Sequence, residues 1–543
     1  MTEHRSVDAL VIGAGFAGLY LMYRLRDLLG LEVIGVDAAS DVGGTWYWNR
    51  YPGARSDTES QVYCYSFSKA LLREWRWSDR YPRQPEILRY LNFVADQFDL
   101  KRSFIFGERV IAAHYDDDAG RWQVTTDQGR RIDCRYLLAG VGLLSAANLP
   151  AIPGRESFGG EQYHTGNWPR QGVGFAGKRV GVIGTGSTGV QLISEIAGQV
   201  EHLTVFQRSP QYSVPARHGP LAEETQAQIQ QNYDQIWARV RSSGVAFDFP
   251  EATVSALSVD EAARQAEFER GWQEGGGFRF MFGCFNDIAT DPRANEMAAE
   301  FIRGKIREIV KDPRIAQKLL PDDLYAKRPL CDPGYYQVYN RDNVELVDVR
   351  AEPIETITHG GVRTRAGEYP LDMLVFATGF DAVTGNYTRM DIRGRGGQLL
   401  ADVWADGPTS YAGMANHGFP NLFMVEGPNG PFTNLPPTIE TQVEWISGLI
   451  AHGLREDRPI LEARAEAESR WLSTCREIAD QTLFPQADSW IFGSNVPGKA
   501  RAVMFYLGGL GPYRQLLGEQ RRQGYPAIRQ SGLSAAARAA DSE

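Results

Sequence analysis

Residues 13–18 read Gly-Ala-Gly-Phe-Ala-Gly, and residues 184–189 read Gly-Thr-Gly-Ser-Thr-Gly. Each hexapeptide follows a short predicted strand, over residues 7–12 or 178–183, and opens a predicted helix. This order of strand, glycine turn and helix is typical of a Rossmann unit, because the helix N-terminus presents free N–H groups to a pyrophosphate. The sequence therefore predicts an α/β protein with two Rossmann-like dinucleotide-binding domains.

The two predicted sites differ in charge where an adenosine ribose would bind. The same offset from the first glycine of each hexapeptide leads to Asp37 in the first unit and to Arg208 in the second. A carboxylate accepts hydrogen bonds from ribose hydroxyls, whereas an arginine suits a 2'-phosphate. We therefore predict FAD at the first site and NADPH/NADP⁺ at the second, with NADH as the alternative there. Two different dinucleotides in one chain suggest electron transfer between them.

The glycine turns and the strand ends supply the predicted cofactor contacts. At the first site these residues are Gly13, Gly15, Ala17, Gly18 and Asp37. At the second site they are Thr185, Gly186, Ser187, Thr188, Gly189, Val190, Gln191, Arg208 and Ser209.

The composition is that of a globular protein and limits its partners. The chain has 543 residues, of which 43% are hydrophobic and 23% charged, and its net charge is -10. This length allows two or three domains, and the acidity argues against nucleic acid or an anionic membrane as a partner. The longest uncharged apolar stretch, residues 9–23, is too short to span a bilayer and is interrupted by glycines.

The cysteines indicate a reducing compartment. There are 5 of them, widely spaced and without a CxxC pair, so we expect free thiols and no zinc or iron–sulfur site. The first residues lack the charged and apolar segments of a signal peptide. We therefore expect a cytoplasmic protein without a metal, and we expect a monomer.

The order of these segments predicts a divided first domain. Residues 1–149 form the first part of the FAD-binding domain, and residues 150–380 form the NADP-binding domain. Charged segments with helical periodicity indicate a helical insertion at about residues 217–325. An apolar strand ending in Ala-Thr-Gly at residues 377–379 marks the return to the first sheet. Residues 381–543 then complete the FAD-binding domain and end in a tail that we predict to be disordered.

Residues 158–169 read Phe-Gly-Gly-Glu-Gln-Tyr-His-Thr-Gly-Asn-Trp-Pro, which fits the pattern FxGxxxHxxxWP. This segment resembles the fingerprint of Baeyer–Villiger monooxygenases, flavoproteins that insert oxygen beside a ketone. A glycine-rich block with Gly44, Trp46, Tyr51-Pro52-Gly53 and Asp57 is similar to another signature of that family. The resemblance extends over about residues 5–525 and includes the segments 327–330, 427–435 and 490–493.

The resemblance implies a reaction and its substrate class. NADPH reduces FAD, the reduced flavin takes up O₂, and the resulting flavin C4a-peroxide attacks a cyclic ketone of the cyclohexanone type to give a lactone. The flavin carries the oxygen chemistry, so no metal is needed. Two alternatives are a flavin monooxygenase that oxidises nitrogen or sulfur and a flavin reductase that passes electrons to a protein partner. The absence of a dithiol motif argues against the reductase.

The resemblance also assigns the catalytic residues. Arg328 matches the family's catalytic arginine, which suits a peroxide that must stay anionic because a guanidinium does not deprotonate. Asp57 matches the carboxylate that orients this arginine. Lys327 matches a residue near the 2'-phosphate of NADP, and Trp490 matches a tryptophan on a mobile loop that closes over NADP and substrate.

Further family positions contact the cofactors or the substrate. The positions matched to cofactor contacts are Thr45, Trp46, Tyr47, Trp48, Arg55, Ser56, Asp57, Tyr63, Val110, Arg328 and Leu435. The positions matched to an apolar substrate pocket are Leu143, Phe432, Thr433, Leu435 and Phe505.

Three other residues bear on the interpretation. His164 lies in the fingerprint between the two predicted domains, so we expect it to serve domain coupling rather than proton transfer. Glu426 stands where the family carries an apolar residue, and His417 lies in another atypical stretch. These departures leave the reaction class unchanged and put the substrate range in question.

Overall fold

The computed structural model describes residues 4–534. The end of the C-terminal tail, predicted to be disordered, lies outside the described residues. The strands are β1 His4–Ile12, β2 Val33–Asp37, β3 Phe104–Phe106, β4 Val110–Asp116, β5 Arg121–Thr126, β6 Arg131–Ala139, β7 Glu161–His164, β8 Arg179–Ile183, β9 His202–Gln207, β10 Ser213–Pro215, β11 Leu330–Asp332, β12 Val344–Asp348, β13 Ile354–Ile357, β14 Gly361–Thr364, β15 Glu368–Pro370, β16 Met373–Phe376, β17 Asp391–Arg393, β18 Leu422–Met424, β19 Gly430–Pro431, β20 Ile460–Ala463, β21 Phe505–Tyr506 and β22 Ile528–Ser531.

The α-helices are α1 Phe16–Met22, α2 Thr45–Trp48, α3 Lys69–Glu74, α4 Gln84–Gln97, α5 Ser187–Ile196, α6 Glu223–Ser242, α7 Glu261–Glu274, α8 Gly277–Gly283, α9 Pro292–Ile309, α10 Pro313–Leu319, α11 Tyr335–Val338, α12 Gly385–Thr388, α13 Leu400–Val403, α14 Leu435–Arg455, α15 Ala465–Ala479 and α16 Leu510–Arg522. No helix within residues 4–534 combines the length and the apolar character needed to cross a membrane.

The first sheet carries the first glycine turn. Its strands run in the order β17-β4-β5-β6-β1-β2-β3, and β18 also pairs with β6. Strands β1, β2, β6 and β18 pair in parallel, and β2, β18 and the carboxyl-terminal halves of β1 and β6 are buried, which explains why these parts read as apolar runs. Their carboxyl ends meet at one edge, so the turn after β1 lies beside Asp37 and beside the segment that follows β18.

The second sheet carries the second glycine turn. Its order is β12-β9-β8-β16-β7, and every pairing is parallel. The turns after β1 and β8 have the same geometry, since Gly13 and Gly184 have φ angles of 98° and 109°. The predicted α/β fold with two Rossmann-like domains is therefore confirmed.

The last glycine of each hexapeptide lets the helix approach its strand. A Cβ atom on Gly18 would lie 1.7 Å from the carbonyl oxygen of Gly13, and one on Gly189 would lie 2.2 Å from that of Gly184. Any larger side chain at either position would push the helix away from the turn. These two glycines therefore shape the turns, and their own backbone is not part of the cavity lining described below.

The helical insertion is confirmed and lies between β10 and β11, where α6 to α10 follow one another. Its helices contribute to both hydrophobic cores. Tyr233 and Trp237 of α6 pack in the core of the first domain. Phe268 of α7 and Ile302 of α9 pack with the helices and strands of the second domain. The insertion thereby contacts both domains and covers the space between them.

The chain crosses between the two domains at two neighbouring points. Ala147 and Phe380 form an antiparallel bridge, and the N–H of Asn148 donates to the carbonyl of Gly379 over 2.9 Å. We propose that the domain boundaries lie as predicted, near residues 149 and 380, because both crossing segments pass through this junction.

Candidate active site

A cavity of about 2110 Å³ lies between the two Rossmann-like domains. Small-molecule pockets usually measure about 300–1,000 Å³, so this space suits more than one large ligand. Most of the predicted cofactor residues line it: Gly13, Gly15, Ala17, Asp37, Thr45, Trp46, Trp48, Arg55, Ser56, Asp57, Tyr63, Val110, Thr185, Gly186, Ser187, Thr188, Gln191, Arg208, Ser209, Lys327, Arg328, Leu435 and Trp490. Four predicted contacts lie outside the lining, namely Gly18, Tyr47, Gly189 and Val190.

Asp37 lies at the carboxyl end of β2, and both of its carboxylate oxygens accept backbone hydrogen bonds. One oxygen accepts from the N–H of Ala14 and the other from the N–H of Ala39, each over 2.6 Å. Burial raises the pKa of Asp37, and these two hydrogen bonds oppose that effect. Each oxygen keeps a lone pair for a ribose hydroxyl, so the residue fits FAD as predicted.

The adenosine end of the second site is rich in cations. Arg208 follows β9 and is exposed, and it forms no ion pair or hydrogen bond with any residue in the described part of the chain. Lys327 pairs with Asp323. The guanidinium of Arg350 donates to the hydroxyl of Ser209 over 3.0 Å. A 2'-phosphate would find these cations together, which fits NADP.

Arg350 is absent from the predicted contacts because it is distant in sequence. It follows β12, which pairs with β9, so the two strands bring Arg350 beside Ser209. The order of strands in the sheet would have placed Arg350 next to Ser209. A single sequence predicts strands but does not give their order in a sheet.

The predicted catalytic pair is an ion pair between a buried carboxylate and a guanidinium whose side chain is 26% exposed. The Nη1 atom of Arg328 donates to Oδ2 of Asp57 over 2.7 Å, and the Asp57 side chain is only 3% exposed. The hydroxyl of Ser187 donates to the same oxygen over 3.0 Å. Burial lowers the pKa of Arg328, but the charge and hydrogen bond of Asp57 outweigh it, so that the pKa is raised. The guanidinium therefore stays charged at physiological pH.

The loop that carries Asp57 is fastened to the second domain. The phenolic hydroxyl of Tyr51 donates to Oε1 of Gln191 in α5 over 2.8 Å. Gly53 has a φ angle of 82°, and a Cβ atom there would lie 2.7 Å from the carbonyl oxygen of Gln191. The Tyr-Pro-Gly signature is thus a close contact between the Asp57 loop and the helix that opens the second dinucleotide site.

Aromatic residues enclose the space beside Arg328. The ring of Phe432 lies 5.4 Å from that of Phe505 and 6.4 Å from that of Trp490, measured between centroids. The Arg328 guanidinium lies 5.5 Å from the centroid of Phe278. The residues predicted for the substrate pocket all line the same cavity: Leu143, Phe432, Thr433, Leu435 and Phe505.

Two further phenylalanines of this pocket come from the helical insertion. Phe247 and Phe278 stack with their centroids 4.6 Å apart, and both line the cavity. Sequence reasoning missed them because aromatic residues in a helical segment read as core. The closely spaced phenylalanines at residues 247–249 and 278–282 were the available signal.

The fingerprint segment contacts the first domain through Trp168, whose backbone N–H donates to the carbonyl of Trp48 over 3.4 Å. Nδ1 of His164 accepts from the N–H of Gly166 over 3.0 Å, and Nε2 lies 3.5 Å from the hydroxyl of Thr378 at the domain crossing. Burial lowers the pKa of His164 below its usual value, so the ring is neutral near pH 7. Both contacts of His164 lie within the second domain, next to the point where the chain crosses, and the coupling role stays a prediction.

Tyr47 lies at the same joint rather than in the cavity lining. The guanidinium groups of Arg50 and Arg170 lie 4.9 Å and 4.6 Å from the centroid of its ring. Arg170 follows the fingerprint and also donates to the hydroxyl of Ser40 over 2.7 Å. The aromatic residue predicted to contact the flavin therefore packs between the domains, where cation–π contact stabilises the joint.

The two atypical residues differ in position. Glu426 is buried, has a φ angle of 58°, and lies among the residues that line the cavity. Both of its carboxylate oxygens are without a hydrogen-bond partner within residues 4–534. His417 has a side chain that is 55% exposed and is not part of the cavity lining.

Comparison with known proteins shows the family. A family model described as flavin-binding monooxygenase-like matches residues 7–217. A Baeyer–Villiger monooxygenase of Pseudooceanicola batsensis is 56% identical over 96% of both chains. Cyclohexanone 1,2-monooxygenase of an Acinetobacter species is 54% identical over 97% of both chains. Phenazine N-monooxygenase of Lysobacter antibioticus is 53% identical over 94% of this chain and 95% of its own.

The fold agrees with a solved structure over nearly the whole chain. Cyclohexanone monooxygenase from Rhodococcus sp. Phi1, bound to NADP⁺, superposes with a TM-score of 0.96 and 54% identity, covering 98% of this chain and 100% of the other. The fold and the site define a two-dinucleotide flavin monooxygenase. More narrowly, the chain belongs to the Baeyer–Villiger monooxygenases, and its cofactors are FAD and NADP.

The unpartnered carboxyl of Glu426 predicts a pH-dependent stability. Burial raises the pKa of Glu426 from 4.5 to about 8, so between these values the folded protein holds a proton that the unfolded chain releases. Below pH 4.5 the carboxyl is neutral in both states and does not lower the free energy of unfolding. As the pH rises from 4.5 to about 8, the free energy of unfolding falls. At pH 7 the loss is about 3 kcal/mol.

Replacing Glu426 with leucine removes this titration. The melting temperature of the FAD-loaded Glu426→Leu variant, relative to the parent, should rise between pH 5 and pH 8. The exposed residue Glu224 offers a matched control, since Glu224→Leu should shift the melting temperature equally at both pH values. A Glu426→Leu difference that is the same at pH 5 and pH 8 contradicts the interpretation.

The free cation at the second site predicts a cofactor preference. Arg208→Ala should raise the KM for NADPH by roughly 10- to 100-fold, because a hydrogen bond to a charged group contributes about 1.5–3 kcal/mol. The KM for NADH should change less than about threefold, since NADH has no 2'-phosphate. Arg314, with a side chain 91% exposed, is a suitable control position. Equal shifts in both KM values would exclude Arg208 from the phosphate site.

Proposed function

We propose that the protein converts cyclic ketones of the cyclohexanone type to lactones with NADPH and O₂. The observation that carries this proposal is the ion pair of Arg328 with the buried Asp57 carboxylate, which lies beside an aromatic pocket in the cavity shared by both dinucleotide turns. The relatives named for cyclohexanone oxygenation support the substrate class.

Bound FAD supplies the transfer of electrons from NADPH to dioxygen. The chain's own contribution is electrostatic. Arg328 provides a permanent positive charge whose guanidinium donates hydrogen bonds, and Asp57 fixes its direction. Beside apolar aromatic walls, such a charge stabilises an anionic oxygen nucleophile more strongly than water does.

The aromatic pocket selects the ketone and limits water. Phe247, Phe278, Phe432 and Phe505 present apolar rings, and Leu435 begins α14 at the same cavity. Such walls favour a compact apolar ring over a polar substrate. They also slow the loss of oxygen as hydrogen peroxide, because protonation by water is restricted.

Oxidation of a nitrogen or sulfur centre is the second candidate, and the similarity to a phenazine N-monooxygenase favours it. The two reactions place different demands on the site. A ketone requires an anionic oxygen nucleophile, whereas an amine or a sulfide is itself the nucleophile. The permanent charge of Arg328 favours the ketone reaction.

We also propose that the protein acts as a monomer in the cytoplasm. The five cysteines are unpaired and buried within the described residues, which agrees with a reducing compartment.

The function is tested by incubating the purified protein with NADPH, O₂ and cyclohexanone and measuring ε-caprolactone by mass spectrometry. Cyclopentanone extends the test to another ring size, and phenazine tests the second candidate. We expect lactone in proportion to NADPH consumed. Hydrogen peroxide without lactone from any cyclic ketone would contradict the proposal, and an N-oxide as the sole product would support the second candidate.

Arg328 is tested separately from substrate choice. Arg328→Ala should lower lactone formation roughly 100- to 1,000-fold, as expected when one charge-stabilising donor is removed. NADPH should still reduce the bound flavin in this variant, because electron transfer does not need the guanidinium. Arg314→Ala serves as the surface control. A normal lactone yield from Arg328→Ala would remove this residue from the chemistry.

A further inference from the structure

The side chain of Gln191 connects the second dinucleotide turn to the catalytic pair. Gln191 belongs to α5, one helical turn after Ser187, and it is 3% exposed. Residues at this spacing lie on the same face of a helix. Both contact the Asp57 carboxylate, Ser187 at Oδ2 over 3.0 Å and Gln191 at Oδ1 over 3.0 Å.

The carboxamide of Gln191 has its full hydrogen-bonding capacity in use. Its Oε1 accepts from the hydroxyl of Tyr51 over 2.8 Å and from the N–H of Arg55 over 3.4 Å. Its Nε2 donates to the carbonyl of Arg55 over 3.2 Å and to Asp57 over 3.0 Å. A glutamine amide offers two acceptor and two donor positions, so none is left for a dinucleotide.

The backbone of Arg55 fixes the direction of this carboxamide. The Arg55 N–H can only donate and its carbonyl can only accept, so Oε1 must face the first and Nε2 the second. The remaining N–H of the amide is then directed at Oδ1 of Asp57. Oδ1 of Asp57 accepts a hydrogen bond from Gln191, and Oδ2 accepts hydrogen bonds from Arg328 and Ser187.

We propose that Gln191 is a positioning residue for the oxygenation reaction. By holding Oδ1 of Asp57, it keeps Oδ2 directed at Arg328 and so fixes the guanidinium beside the substrate pocket. The inference rests on the proposed ketone oxygenation, and it gives Gln191 a part in the chemistry instead of the predicted cofactor contact.

Two substitutions separate this role from packing. Gln191→Leu removes both donors and should lower the lactone formed per NADPH about tenfold or more at every pH, because a small misplacement of a catalytic group costs up to about 100-fold. Gln191→Glu puts a second carboxylate about 3 Å from Asp57, and two like charges at this distance repel unless the pair shares a proton. At high pH both carboxylates are ionised, and the lactone yield should fall. As the pH is lowered, a shared proton restores the hydrogen bond to Asp57 and the yield should recover.

The measurements are the lactone-to-peroxide ratio from pH 5.5 to pH 9, the KM for NADPH and the rate of flavin reduction. The last two should stay within twofold of the parent. Gln199, exposed just beyond the other end of α5, provides matched controls in Gln199→Leu and Gln199→Glu, which should match the parent throughout.

Several results would overturn the inference. A lactone yield within twofold of the parent in Gln191→Leu would show that the hydrogen bond to Asp57 does not matter. A parallel rise in the KM for NADPH would make Gln191 a cofactor contact. Loss of bound FAD in both Gln191 variants would make it a structural residue of the domain joint. Absence of lactone from the parent itself would instead reject the proposed function.

Discussion

The ion pair between the buried Asp57 and the partly exposed Arg328 is the interaction on which the site depends. Removing a carboxylate from water costs several kcal/mol, and attraction to a cation offsets this only when further hydrogen bonds satisfy the carboxylate. Here the carboxylate belongs to a loop of the first domain, and the guanidinium to the segment that follows the insertion. Ser187 and Gln191 of the second domain complete the set. The charge in the pocket therefore requires that both domains and the insertion be packed together.

The second glycine turn and its helix α5 consequently serve both the dinucleotide site and the positioning of Asp57. The backbone of the turn and the cations near Arg208 suit a phosphorylated dinucleotide, while the side chains on the adjacent face of α5 hold Asp57. The electron donor and the charge that supports oxygen transfer thus share one helix. Arg170, directly after the fingerprint, holds the two domains together through a hydrogen bond to Ser40 and cation–π contact with Tyr47. This arrangement explains why the family signature lies between the domains rather than at the reacting atoms.

Local features of the sequence predicted the fold and the nature of the cofactors. A glycine turn is recognised from the strand before it and the helix after it. Asp37 and Arg208 each lie at a strand end of the same unit. Short-range sequence patterns were therefore sufficient to predict the two units and the cofactor of each. The pairing of Asp57 with Arg328 came from the family resemblance, because nothing local links residues so distant in sequence. Arg350, Phe247 and Phe278 were missed for the same reason: neighbouring strands and a folded insertion bring them to the cavity. Tyr47 stays a predicted flavin contact, and its packing against Arg170 of the other domain is a contact that no local pattern shows.

The most direct test of the central claim is a double-mutant cycle on the ion pair, with lactone formation from cyclohexanone as the readout. The variants are Asp57→Ala, Arg328→Ala and the double variant, each loaded with FAD and reduced by NADPH. If the two residues act as one unit, the double variant should lose no more than about threefold beyond the more damaged single variant. Losses that multiply would show that Asp57 and Arg328 act independently, and would contradict this account.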